Sequence, residues 1–307
     1  MKVLIFGGTG FVGRNLTGEL LANGYQVLVV TRNYQKMVNN TGNKVQVIEW
    51  DNHSPLSSIN ELQEIDVVIN LAGESIGNRR WSNAVKQEIL ASRGRITSAI
   101  VTAINNRSFL PKVLINASAV GYYGPRRDDM ITETEEAGQD FLAQVCRDWE
   151  NAAYKVQSDF TRVVTIRIGV VLGSEGALNR MLMPFKFYIG GPLGTGNQWL
   201  SWIHIKDLTG MIRFLIEHQE LTGPVNATAP EPVPMRNFCR VLGEVMNRPS
   251  WLPVPEFILK IVLGQMAEML LHGQRVIPNK IIGAGFEFQF PKLRSALEDA
   301  LGNRNRV

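Results

Sequence analysis

The chain opens with Lys2-Val3-Leu4-Ile5-Phe6 and passes without a break into Gly7-Gly8-Thr9-Gly10-Phe11-Val12-Gly13. Four consecutive apolar residues, Val3 to Phe6, predict a strand buried on both faces of a parallel sheet. After the glycines, Arg14 to Leu21 carries apolar residues at helical spacing. Strand, Gly8-x-Gly10-x-x-Gly13 turn and helix, in that order, meet the needs of a dinucleotide pyrophosphate. The turn is tight, the backbone can approach the phosphates, and the helix N-terminus aims free N–H groups at them. A glycine pattern alone is equally a structural turn; the flanking strand and helix are what point to a phosphate cradle. Gly7, Thr9, Gly10, Phe11, Val12 and Gly13 are the candidate residues of that cradle.

The second predicted strand, Gln26 to Val30, ends in Thr31-Arg32-Asn33. An NAD site usually places an acid about 20 residues past the glycines, where it binds the ribose 2′-hydroxyl. Here Thr31 and Arg32 stand at that place, with Lys36 a turn on. A guanidinium offers fixed donors to phosphate oxygens, so the pattern predicts NADP(H). The alternative is a solvated loop arginine.

Length and composition limit the other classes. With 307 residues, 45% hydrophobic and 20% charged, the chain can bury a substantial core and is ordinary for a globular protein. A net charge of +4 without a Lys/Arg block gives little reason to expect nucleic acid as a partner. Cys146 and Cys239 are far apart, have no metal-ligand spacing and lie in helical patterns, which predicts buried thiols in a reducing compartment. Strand one begins at the first residues, and no apolar run reaches the ~18 residues a membrane span needs. A cytoplasmic protein with no membrane partner is expected.

Further strands are predicted at Val45 to Glu49, Glu64 to Leu71, Lys112 to Ser118 and Arg162 to Ile168, with helices over 82–105 and 140–157 between them. The fourth strand ends in Leu71-Ala72-Gly73-Glu74, a small-residue turn that lets backbone approach a cofactor. Alternating strands and helices predict an α/β fold, a Rossmann-type doubly wound parallel sheet. After Gly173 the pattern changes to turn clusters, prolines and short elements. This divides the chain into an NAD(P)-binding domain, 1–173, and a smaller C-terminal α+β substrate lobe, 174–307, with parts of 200–228 packing back on the first domain.

Taken together, GGTGFVG, NLAG, the strand ending at Ser118, RIGVVLG, and His204 with Asp207 in GTGNQWLSWIHIKDL resemble an extended short-chain dehydrogenase/reductase. The likeness covers nearly the whole chain. NLAGE, the FLAQVCRDWE helix and GQRVIPNKIIGAGFEFQFP are similar, more narrowly, to epimerase-family proteins of the YfcH type, named after nucleotide-sugar epimerases. The resemblance implies the fold and NADP(H) binding, and brings no secure substrate.

One part of the superfamily pattern is missing. Its chemistry rests on Tyr-x-x-x-Lys near a serine or threonine, the tyrosine acting as acid/base with its pKa lowered by the lysine. Ser118 matches the serine, but aligning the helix on Glu150 puts Leu142 and Cys146 where tyrosine and lysine belong. Tyr122, four residues past Ser118, is the nearest phenol, and Ser118 and Tyr122 are the candidate catalytic pair. Arg93, on the helix after the NLAG turn, is a candidate cofactor contact and a substitute source of positive charge; Val171 is expected to offer its backbone to the nicotinamide. Two functions stay open: a reductase or epimerase-like oxidoreductase on a small carbonyl or hydroxyl compound, or a non-catalytic NADP(H) sensor acting through a protein partner. The partners expected are a small-molecule substrate and, left open, a second copy in a homodimer.

Overall fold

The computed structural model describes residues 1–33, 45–52, 54–62 and 64–302. Lys36, the second cation expected beside Arg32, lies outside them. Five strands come first: β1 (Lys2–Phe6), β2 (Gln26–Thr31), β3 (Gln46–Glu49), β4 (Val67–Asn70) and β5 (Val113–Ala119). A short β6 (Met130–Ile131) follows, then β7 (Arg162–Ile168) and β8 (Val170–Leu172). The later strands are β9 (Trp199–Leu200), β10 (Trp202–His204), β11 (Gly223–Ala227), β12 (Val233–Pro234) and β13 (Arg275–Val276).

Seven of them form one sheet in the order β11-β7-β5-β4-β1-β2-β3, and every pairing within it is parallel. This is the doubly wound sheet that the alternation of strands and helices predicts. The strands are apolar on both faces because both are covered. Val3 and Ile5 of β1 enter one core with Leu16, Leu20, Ile212 and Leu215, while Leu4 and Phe6 enter a second core with Ile100, Val101 and Ile104. Ser82 and Asp140 cap the helices Asn83–Asn105 and Phe141–Ala153: their side chains accept hydrogen bonds from Val85 N at 3.3 Å and Ala143 N at 2.7 Å.

Past Gly173 the chain does two things. The helix Ile205–Glu217 returns to the first core, and β11 joins β7 at the sheet edge. The helices Ala177–Lys186, Met235–Met246 and Leu293–Gly302 build a third core with Trp202 and Leu172. His204 and Asp207 sit at the corner between these parts. His204 Nδ1 accepts from Lys206 N at 3.3 Å, and Asp207 accepts from the backbone of Gln289 and Phe290 at 2.7 and 3.0 Å. Burial pulls the His204 imidazole down to about 4, so it is neutral at ordinary pH. Both residues tie the tail to the sheet. No helix among the described residues is long and apolar enough to cross a membrane.

Candidate functional site

The carboxyl ends of β1, β2 and β4 open on a cleft of 610 Å³. Gly7, Thr9 and Gly10 form its floor, Thr31 and Arg32 one end, and Leu71, Ala72, Gly73 and Glu74 the facing wall. Gly7 and Gly13 are required for steric reasons. Gly7 has φ +80°, and a Cβ there would lie 2.7 Å from the Leu71 carbonyl carbon; a Cβ on Gly13 would lie 2.3 Å from Gly7 O. The turn is thus folded on itself and pressed against the turn after β4. Phe11, Val12 and Gly13 do not line the cleft with their side chains; they begin the helix Phe11–Ala22, whose first N–H groups have no intrahelical acceptor.

A buried polar cluster fixes the facing wall. Asn70 donates to Asn116 Oδ1 at 2.7 Å and to Thr97 Oγ1 at 3.0 Å, and its own Oδ1 accepts from Ala72 N at 3.2 Å. Trp149 Nε1 donates to the same Thr97 hydroxyl at 3.0 Å. The turn Leu71 to Glu74 is therefore held by β4, β5 and two helices at once. Sequence reading misses several cleft residues: Glu88, Ala91, Ser92 and Arg95 also line it. Their spacing puts them on one face of the helix Asn83–Asn105, the signal that could have found them. Arg32 is exposed at the cleft end and makes no hydrogen bond or ion pair among the described residues, whereas Arg14 is paired with Glu175 at 2.6 Å.

Arg93 does not line this cleft but lies behind its Gly73 wall, where it lines a separate inner chamber of 670 Å³. Its guanidinium carbon lies 3.1 Å from where a Cβ on Gly73 would be, and 4.9 Å from the centre of the Trp149 ring. Burial lowers its pKa from the usual value, opposed by Cys146 once its thiol is ionised and by the Glu74 carboxylate. An arginine so placed remains a cation. Leu142, Val145, Cys146 and Trp149 of the helix Phe141–Ala153 form one wall of the chamber, facing Gly169, Val170 and Leu200. Burial pushes the Cys146 thiol up to about 11, so it supplies neither a base nor a positive charge at neutral pH.

The expected pair of hydroxyls is not in the chamber. Ser118 is buried and donates to Glu150 Oε1 at 2.6 Å; Tyr122 lays its ring over the Arg167 guanidinium, 3.4 Å from its carbon. Neither lines any of these cavities. The reason is a buried ion pair. Arg167 donates to Glu150 twice, at 2.9 and 2.8 Å, and to Tyr123 Oη at 3.0 Å, and Tyr123 donates to Asn226 at 2.6 Å. A buried carboxylate needs every donor it can find, and Ser118 is one of them. Val171 pairs with Ile203 and does not line the chamber; its neighbour Val170 does.

Comparison with known proteins agrees with this architecture. Residues 3–227 match the model of the NAD dependent epimerase/dehydratase family, and residues 254–300 match a domain of unknown function, DUF1731. The epimerase family protein YfhF of Bacillus subtilis is 41% identical over 308 residues, covering 100% of both chains. A crystal structure of the human epimerase family protein SDR39U1 (isoform 2) with NADPH superposes with a TM-score of 0.89 at 36% identity, covering 99% of this chain and 100% of that one. UDP-glucose 4-epimerase of Thermotoga maritima, solved with UDP-glucose, shares the fold at a TM-score of 0.81 and 16% identity, covering 100% of this chain and 99% of that one.

Proposed function

The chain belongs to the NAD dependent epimerase/dehydratase family, and from that premise we propose that it is an NADP(H)-dependent oxidoreductase, a reductase or epimerase-like enzyme acting on a small carbonyl or hydroxyl compound. The observation that carries this reading is the open 670 Å³ chamber beside the glycine-turn cleft, where Arg93 of the chamber lies against Gly73 of the cleft wall and the protein's own side chains do not fill the space. The human relative is solved with NADPH, and the residues here fit that cofactor. Gly7, Thr9, Gly10 and the N–H groups of Phe11, Val12 and Gly13 would hold the pyrophosphate. Thr31 and Arg32 would hold the 2′-phosphate, and Leu71 to Glu74 would lie along the ribose and nicotinamide side. Bound there, the cofactor supplies or accepts a hydride.

Arg93 would act on the reaction through its charge. Fixed in the chamber wall between Gly73 and the Trp149 ring, it would stabilise negative charge developing on a substrate oxygen without having to reorganise. The chamber walls would exclude water from the reacting atoms. A second reading is favoured by Leu142 and Cys146, which leave the helix without a phenol or a lysine: a protein that binds NADP(H) and signals its binding to a partner.

Cofactor choice is tested at Arg32. NADPH is expected to bind about 10- to 150-fold more tightly than NADH, the worth of one charge-assisted contact. Arg32→Ala should remove most of that preference and leave NADH affinity within about twofold. Equal affinities for the two nucleotides in the unmodified protein would sink the assignment.

A further inference from the structure

Beyond the inner chamber lies a second cavity of 790 Å³, and its chemistry is different. The two share Ile76, Val170, Trp199, Leu200, Met269 and His272, so the second cavity adjoins the first on the side away from Arg93. The far wall is hydrocarbon and thioether: Met181, Phe185, Met235, Phe238, Leu242 and Met266. Unbranched methionines fill and refill irregular apolar space, which suits a ligand without fixed polar groups. Ile189, half exposed at the mouth, carries this lining out to the surface.

Apart from the Ser75 hydroxyl, the polar side chains lining this cavity are engaged by the protein. Arg180 donates to Gly77 O and, at 2.7 Å, to Asn78 Oδ1. Gln198 donates to the carbonyls of Leu193 and Leu270 at 2.9 and 2.8 Å, and Trp199 Nε1 donates to Asp128 at 2.9 Å. His272 Nε2 is held by Glu268 at 2.8 Å, and the Cys239 thiol faces Gly191 O at 3.4 Å. A nucleoside diphosphate needs cations with free donors for its phosphates. Arg180 is the one Lys or Arg among the described residues lining this cavity, and its fork is closed on Gly77 and Asn78.

We infer that the 790 Å³ chamber holds the non-reacting part of the substrate and that this part is apolar, making the small carbonyl compound or alcohol proposed above a hydrocarbon-rich or aromatic one and not a nucleotide sugar. The inference rests on the reading of the glycine-turn cleft as the cofactor's site, and the test separates the two. N-phenylnaphthylamine, a neutral probe whose fluorescence rises in apolar surroundings, is titrated into the NADPH-loaded protein. Straight-chain methyl ketones and UDP-glucose then compete for it. Saturable binding is expected, displaced by the ketones about fourfold more tightly per added methylene, with UDP-glucose without effect. Met269→Trp, at the waist between the chambers, and Met181→Trp on the far wall should each weaken the probe at least tenfold while NADPH affinity stays unchanged. Displacement by UDP-glucose, or probe affinity indifferent to both tryptophans in protein that still binds NADPH, overturns the inference. Loss of NADPH binding by the unmodified protein strikes instead at the cofactor reading on which it rests.

Discussion

Gly10→Val should weaken NADPH binding by about a thousandfold while leaving the protein folded. Gly10 has φ −75° and ψ 171°, an extended conformation open to any residue, and a Cβ there would meet only Gly7 O at 3.3 Å. The added Cβ asks Gly7 O to shift by only a few tenths of an ångström, and the branched side chain would project into the floor of the cleft. There it would take the space of a pyrophosphate and cost at least two charge-assisted hydrogen bonds of about 1.5–3 kcal/mol each, or roughly 4 kcal/mol in all. Gly13→Val is the contrasting case. Its Cβ would lie 2.3 Å from Gly7 O and 2.6 Å from the α-carbon of Gly8, so the turn itself must open and the folded protein must suffer. Nucleotide titration and thermal unfolding of both variants separate the effects. Normal NADPH affinity in Gly10→Val would show that the phosphate does not sit on this turn.

Arg167→Met should cost the folded state about 3–5 kcal/mol, because it strands the Glu150 carboxylate in the interior. Glu150 is 3% exposed and keeps a single side-chain donor, the Ser118 hydroxyl, once the two guanidinium bonds are gone. Tyr123 also loses a donor, and burial has already pushed its phenol up to about 12, so it cannot compensate by ionising. Removing both charges in Arg167→Met/Glu150→Leu should recover most of the loss, since what is expensive is the unpaired charge. Denaturant unfolding gives the comparison. A loss below about 1 kcal/mol in the single variant, the worth of an exposed pair, would mean that this pair is solvated.

These two sites differ in how far the sequence discloses them. The glycine turn is local: strand, turn and helix lie within 22 residues of the start, and the steric reasons for Gly7 and Gly13 are set by the NLAG turn and by the turn itself, with Val29 of β2 crowding Gly8. The alternation of Val3 and Ile5 with Leu4 and Phe6 likewise speaks for a sheet covered on both faces. β11, by contrast, reads poorly as a strand because it carries Gly223 and Pro224; the sheet edge is where a missing N–H is tolerated. The ion-pair network was hidden for a different reason. Ser118 and Glu150 are 32 positions apart and Tyr123 and Asn226 are 103 apart, so only the closed fold brings them together. A serine at the end of a central strand has the same appearance in sequence whether it faces a substrate or a buried carboxylate. Its neighbour across the sheet, Arg167 in β7, is what turns it inward.

The measurement that bears most directly on the central claim is the fate of bound NADPH. Protein loaded with one equivalent of NADPH is mixed with a panel of carbonyl compounds, from small polar aldehydes to long-chain and aromatic ketones, and nicotinamide fluorescence is followed in time. An NADP(H)-dependent oxidoreductase should oxidise the cofactor with at least one compound, in proportion to protein, and the reaction should vanish in Gly10→Val. Bound NADPH that survives the whole panel, in protein whose 790 Å³ cavity still takes up an apolar probe, would contradict the enzymatic account and leave a nucleotide-binding protein in its place.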